Sequence, residues 1–351
     1  MAQVNLNIDD LKGFMGHIIN NNRFLQKEGK LPVSIEVLGE SGIGKTSTVK
    51  EIAEEHDLDF VKLNLAQIEE LGDLVGFPTR QFQMYKEQVV KVGKSDDIQY
   101  SSQAAASEDL TKMSQNTVTK KVGQWVNELA VADYLKNGYK MTGKNRMSYC
   151  APEWIADKKA GGILLLDDWN RADVRFIQAC MELVDRQTYI SWSLPKDWHI
   201  VLTANPDTGD YMVNSVDSAQ KTRYITANLQ FDVDVWARWA EEAGIDSRCI
   251  NFLLLHPELV TQETNARAIT TFFNSISSFE NFEDNLPYIQ MIGEGSVGDE
   301  FASMFTVFIN NKLDKLVTPK DLLTHDNESY ILGELTGCVG KDDNYRADIA
   351  S

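Results

Sequence analysis

Eight consecutive residues, Gly39-Glu40-Ser41-Gly42-Ile43-Gly44-Lys45-Thr46, satisfy the pattern G-x-x-x-x-G-K-[ST] at every fixed position. The run before them, Val33-Ser34-Ile35-Glu36-Val37-Leu38, alternates as a strand does, and the stretch from Thr46 to His56 suits a helix. The glycines let the backbone bend until successive N–H groups face one anion, helped by the positive end of the following helix. Residues Gly39 to Ser47 are thus expected to cradle phosphates. Lys45 is expected to reach the β- and γ-phosphates, and the Thr46 hydroxyl to ligate Mg²⁺. Chance alone gives such a match about once in a hundred chains of this length. The sequence predicts a nucleoside triphosphate site.

A second element turns binding toward hydrolysis. Gly162-Ile163-Leu164-Leu165-Leu166-Asp167-Asp168 is a bulky apolar run ending in two carboxylates. Its lack of alternation predicts a strand buried on both faces of a parallel sheet, where ligands sit beyond the carboxyl ends of the strands. Asp167 is placed to hold Mg²⁺ through water, and Asp168 to orient or deprotonate an attacking water. Alone, such a strand end also fits plain loop capping; the upstream phosphate loop favours the catalytic reading.

The chain carries 34 basic and 52 acidic residues, a net charge of −18. That balance argues against nonspecific affinity for DNA or anionic membrane, without excluding nucleic acid in a locally basic channel. The four cysteines, Cys150, Cys180, Cys249 and Cys338, lack metal-type spacing and read as reduced thiols of a cytoplasmic protein. The N-terminal residues are polar and acidic, unlike a signal peptide, and no apolar run is long enough to span a membrane.

Along the chain, Asp9 to Glu28 reads as an opening helix and Phe60 to Leu65 as a second strand. Residues 81–150 are polar, with one helix-like piece from Val122 to Leu135; they hold ten Lys/Arg and seven Asp/Glu, a net +3. They are read as an insertion, either merely solvated or functional. A helix from Ala172 to Asp185 follows the acidic strand, then a hairpin from Thr188 to Trp192 turning near Leu194-Pro195-Lys196-Asp197, then the strand His199 to Ala204. Strands alternating with helices predict βαβ units and a parallel sheet. The expected division is an α/β nucleotide-binding domain over residues 1–230, a helical domain over 231–325, and an acidic, poorly ordered tail over 326–351.

Taken in order, several segments resemble the AAA+ ATPases, and within them the MoxR-like branch. Leu63-Asn64-Leu65 with Asp73-Leu74-Val75-Gly76-Phe77-Pro78 is similar to that branch's segment after its second strand. Ala151-Pro152-Glu153-Trp154-Ile155 and Asp167-Asp168-Trp169-Asn170-Arg171-Ala172 resemble its Pro-x-Trp approach and its D-E-x-N-R-A motif. Thr203-Ala204-Asn205-Pro206 looks like sensor 1, Lys221-Thr222-Arg223-Tyr224 the arginine-finger segment, and Asn265-Ala266-Arg267-Ala268 the sensor-2 helix of the lid. The resemblance covers roughly residues 30–80 and 150–310.

The resemblance implies an AAA+ fold of a central parallel sheet flanked by helices, followed by an α-helical lid. It also implies a ring, usually hexameric, with ATP and Mg²⁺ between subunits. Asn205 would orient the lytic water, since its amide both donates and accepts. Arg223 would enter the neighbouring subunit's site, a contribution worth roughly 10³–10⁵ in rate. Arg267 would read the γ-phosphate from the lid. Arg223 also fits a surface charge, and Arg267 a solvated helix arginine; Arg171 either meets the adjacent subunit or caps its own helix. The branch usually has Glu at the position of Asp168. The shorter arm implies slow hydrolysis or action through an extra water.

Three functions follow as expectations. The first is a ring that remodels or matures a protein client, commonly beside a partner with a von Willebrand factor A domain. The second is a nucleic-acid motor or a GTP-dependent restriction subunit of the McrB type. The third is a nucleotide-dependent scaffold that hydrolyses weakly.

Overall fold

The computed structural model describes residues 4–91, 117–159, 161–208, 213–214 and 218–310. Cys338, the end of the helical domain expected over 231–325, and the 326–351 tail lie outside them.

In chain order the strands are β1 (Val4–Leu6), β2 (Ser34–Leu38), β3 (Asp59–Asn64), β4 (Pro78–Lys91), β5 (Thr117–Asn127), β6 (Lys140–Tyr149), β7 (Gly162–Asp167), β8 (Thr188–Tyr189), β9 (Trp192–Ser193), β10 (Trp198–Ala204) and β11 (Tyr224–Leu229). The chain divides into two compact units. One holds the residues up to Ala66, Gly161–Ala172 and those from His199 onward; the other holds Gln67–Ala160 and Asp173–Trp198.

The first unit is built on a six-stranded sheet in the order β1-β11-β2-β10-β7-β3, with parallel registers at β1/β11, β11/β2, β2/β10 and β3/β7. Every residue of β7 and β10 is buried, as continuous apolar strands in a two-sided sheet must be. Helices α1 (Ile8–Lys27) and α2 (Lys45–Glu55) pack on the sheet through Leu11, Met15, Ile19, Val49 and Ile52. Asn7 caps α1 by accepting from the Asp10 N–H at 2.9 Å. The edge strand β1 and its neighbour β11 have no counterpart in the sequence reading. β1 spans three residues and β11 mixes polar with apolar ones, so neither shows a clear period.

The second unit contains α3 (Leu71–Val75), a three-stranded antiparallel sheet in the order β5-β4-β6, α4 (Val131–Lys136), α5 (Glu153–Ala156), α6 (Val174–Arg186) and the β8/β9 hairpin. Two expectations are corrected here. The stretch from Val122 to Leu135 is not one helix: it is strand to Asn127, and α4 starts only at Val131. Val122, Trp125 and Val126 suit a strand, and pairing with β4 overrides the helix formers beyond them. The hairpin turns at Ile190-Ser191 rather than near Leu194–Asp197, because Tyr189 pairs directly with Trp192. Trp192 then donates to the Val75 carbonyl at 2.9 Å and meets Trp154 edge-to-face.

Helix α7 (Ser218–Lys221) leads into β11, and after β11 the first unit continues through α8 (Val233–Glu242), α9 (Ser247–Leu255), α10 (Ala266–Ile276), α11 (Leu286–Ser296) and α12 (Asp299–Asn310). Phe252, Phe272, Phe273, Phe301, Phe305 and Phe308 form their common core, mostly edge-to-face. At the crossing of α11 and α12, a Cβ on Gly293 would fall 2.6 Å from the Ala302 methyl. Only glycine lets these helices approach so closely.

Candidate functional site

The phosphate loop leaves β2 and bends sharply. Gly42 and Gly44 have φ of +80° and +97°, conformations side chains rarely adopt. A Cβ on Gly42 would also lie 2.5 Å from Asn265 Oδ1. The Gly39 N–H donates to the Ala204 carbonyl at 3.2 Å, tying the loop to the end of β10. Ile43 is buried in the core, Glu40 accepts from Gln262 at 3.3 Å, and the Ser47 hydroxyl donates to the Gly44 carbonyl at 2.9 Å. Ser41 is half-buried on the turn.

Lys45 opens α2 and is 7% exposed. Its ammonium donates to the carbonyls of Gly39 (2.6 Å) and Glu40 (2.8 Å) and to Asn205 Oδ1 (3.0 Å). Burial pushes its pKa down to about 8, against the upward pull of Asp168 and Asp167. The Thr46 hydroxyl donates to Asp167 Oδ1 at 3.0 Å. Asp167 also accepts from Thr203 Oγ1 at 2.5 Å and pairs with Lys62 at 2.8 Å. Burial alone would raise its pKa, but Lys62, Thr203 and Thr46 together hold it below the ordinary carboxylate value. Two oxygen donors, one a held carboxylate, fit Mg²⁺, which typically takes one or two protein ligands beside phosphates and water. Among the described residues no cluster of three His, Cys, Asp or Glu offers a metal site by itself.

Asp168 sits in the left-handed region at φ +52°, one of the residue types that tolerate it. Its N–H donates to Thr203 Oγ1 at 3.0 Å, and its carboxylate accepts from Asn205 Nδ2 at 3.0 Å. Arg171 lies 3.8 Å from its other oxygen. Asn205 therefore uses both ends of one amide, accepting from Lys45 and donating to Asp168. Asn170 holds the Asn205 backbone on both sides, through its Oδ1 at 3.2 Å and its Nδ2 at 2.8 Å.

Lys45, Thr46, Asp167, Asp168 and Asn205 thus converge. Arg267 stands exposed near the start of α10, and lines a cleft of about 720 Å³ with Gly42, Gly44, Trp236 and Trp239. Arg223 is exposed just ahead of β11 and stands apart from this cluster; its backbone N–H donates to the Gln220 carbonyl at 3.1 Å. Thr203 and Lys62 were missed. Thr203 lies inside the apolar run of β10, where a lone hydroxyl next to sensor-like Ala204-Asn205 was the available signal; Lys62 is a charge within the otherwise apolar Phe60–Leu63. A second buried carboxylate, Glu36 on β2, accepts from Trp169 Nε1 at 3.0 Å and Thr226 Oγ1 at 2.8 Å, and its burial raises its pKa.

No protein-family model matches the sequence, and neither does any curated protein. Among solved structures, a variant of Thermotoga maritima RuvB aligns with a TM-score of 0.42 at 10% identity, over 86% of this chain and 69% of that one. Thermotoga maritima RuvB, described as a Holliday-junction branch-migration motor, gives 0.39 at 10% identity, over 86% and 71%. A candidate ATPase from Cytophaga hutchinsonii gives 0.35 at 14% identity, over 90% and 82%.

Proposed function

We propose that this chain is a Mg²⁺-dependent ATPase of the AAA+ type, MoxR-like in its motifs, that works as a ring and turns hydrolysis into the remodelling of a protein client. The observation that carries the reading is the convergence of a buried lysine, a threonine hydroxyl, two carboxylates and an amide on one phosphate loop. Lys45 exchanges its carbonyl partners for β- and γ-phosphate oxygens. Thr46 and Asp167 hold the metal, which when bound neutralises charge on the phosphates. Asp168 accepts the proton of the lytic water, while Asn205 fixes that carboxylate relative to Lys45. Arg267 contacts the γ-phosphate from the same chain, and exposed Arg223 serves a neighbouring subunit.

Turnover of ATP and GTP by the purified protein, with and without Mg²⁺, tests this. Lys45→Ala is expected to lose triphosphate binding, and Asp167→Asn to keep some binding while losing Mg²⁺-dependent turnover. Retained micromolar ATP affinity in Lys45→Ala removes the phosphate-loop assignment. The alternative of a nucleic-acid-associated motor draws support from the charge of the second unit's sheet.

A further inference from the structure

The three-stranded sheet of the second unit has a charge opposite to that of the chain. Residues 78–91 and 117–149 contain nine Lys/Arg and three Asp/Glu, a net of 9 − 3 = +6, so the remainder carries −18 − 6 = −24. Among the described residues, Arg80, Lys86, Lys121, Lys140, Lys144 and Arg146 have no carboxylate within ion-pair distance. Lys121, Lys140 and Arg146 share one face, where Glu87 stands opposite Lys121, while Arg80 and Lys86 fall on the other.

One face of this sheet also carries aromatic rings. Strand register sets Tyr85 opposite Gly123 on β5 and Lys140 on β6, Gln83 opposite Trp125, and Gln81 opposite Arg146. The Arg146 guanidinium lies 4.5 Å from the Trp125 ring centroid, and its Nε donates to Gln81 Oε1 at 3.0 Å. Lys121 lies 5.4 Å from the Tyr85 ring. Both rings are half-buried, braced by neighbours rather than loose.

Gly123 sits between Lys121 and Trp125 on that face. Its φ is not positive, and a Cβ there would meet nothing closer than 3.7 Å. The backbone does not require glycine, which weakens a strand interior; the β4/β5 register runs through it without a bulge, and close approach by a ligand is one use of such a glycine. It leaves a gap in the side-chain row beside the Tyr85 ring.

We propose that this face binds single-stranded nucleic acid. Bases stack on Trp125 with its bound Arg146 and on Tyr85 across the Gly123 gap, and phosphates run along Lys121, Lys140 and Arg146. A sheet presenting paired rings suits unpaired bases rather than a duplex, whose bases are already stacked. This face shares no residue with the phosphate-loop cluster, and its test needs no nucleotide.

Fluorescence anisotropy of the full chain with labelled oligothymidylate and oligouridylate, each of about 20 nucleotides, tests the proposal. With three phosphate contacts, affinity is expected to fall about 20-fold between about 50 and 200 mM salt. Trp125→Ala is expected to lose at least about fivefold in affinity and Gly123→Val to weaken binding, while Trp125→Phe retains it. Lys140→Gln with Arg146→Gln should flatten the salt dependence. Unchanged circular dichroism and thermal unfolding in these variants show that they fold. Whichever sugar binds more tightly identifies the natural strand. No anisotropy change up to about 100 µM protein overturns the proposal. So does undiminished binding by Trp125→Ala, tighter binding of duplex, or equal competition by polyglutamate, which would mark an acidic-peptide site.

Discussion

Asp168 is the residue whose geometry departs most from what its chemistry alone would dictate. Its left-handed backbone, held by its N–H bond to Thr203 Oγ1, and the bond its carboxylate accepts from Asn205 fix the side chain, yet its arm is one methylene shorter than a glutamate's. Asp168→Glu is expected to raise the steady-state ATPase rate by up to about 10²-fold, the size of effect a 1 Å displacement has on a reacting group. The same change costs roughly 1 kcal/mol of stability, because glutamate tolerates φ +52° less well. A clear drop in rate, at equal assembly, would show that the twisted backbone has already brought Asp168 into position. The phosphate-loop residues and Asp167 were legible because each motif position has a single chemical use. Thr203 and Lys62 were not, since a hydroxyl or ammonium acquires its role only from the strand beside it, and register is not written in one strand's sequence.

Elements were legible where burial is uniform. β7 and β10 are buried throughout and mostly apolar and could be found from the sequence, whereas β4, β5 and β6 alternate among Gln, Lys, Thr and aromatic residues and carry no clean period. Two element-level predictions follow from packing. Gly293→Ala should destabilise the α11/α12 pair by roughly 1–2 kcal/mol in chemical denaturation, since overpacking outweighs the gain in helix propensity. Adding Ala302→Gly should restore near wild-type stability; additive losses would place the strain elsewhere. The second concerns Glu36 on β2. Its raised pKa means the native state holds this proton more tightly than the unfolded chain. Its contribution therefore falls as pH rises from the ordinary carboxylate value through the raised one. Glu36→Gln keeps an acceptor for Trp169 and should remove that decline, with a higher melting temperature at neutral pH. Identical pH profiles for the two proteins would rule this out.

At the scale of the whole molecule, Arg223 lies outside the cluster that its own chain assembles. If it acts across an interface, Arg223→Ala should bind ATP normally and hydrolyse it about 10³-fold or more slowly. Mixing it with Asp168→Asn subunits should restore part of the activity, because some interfaces join an intact acid to an intact arginine. No recovery at any ratio assigns Arg223 to its own chain or to no catalytic role. The site also has a history along the chain. Thr46 meets its carboxylate 121 residues later, Lys45 its amide 160 residues later, and the Asn7 side chain its partner Asp232 after 225. Contacts so distant close late and slowly. During synthesis the phosphate loop emerges early, but the residues that clamp its lysine leave the ribosome only after β10. Until then the nascent chain has the motif without the grip; on the proposed function, nucleotide would then favour the finished fold over every earlier one.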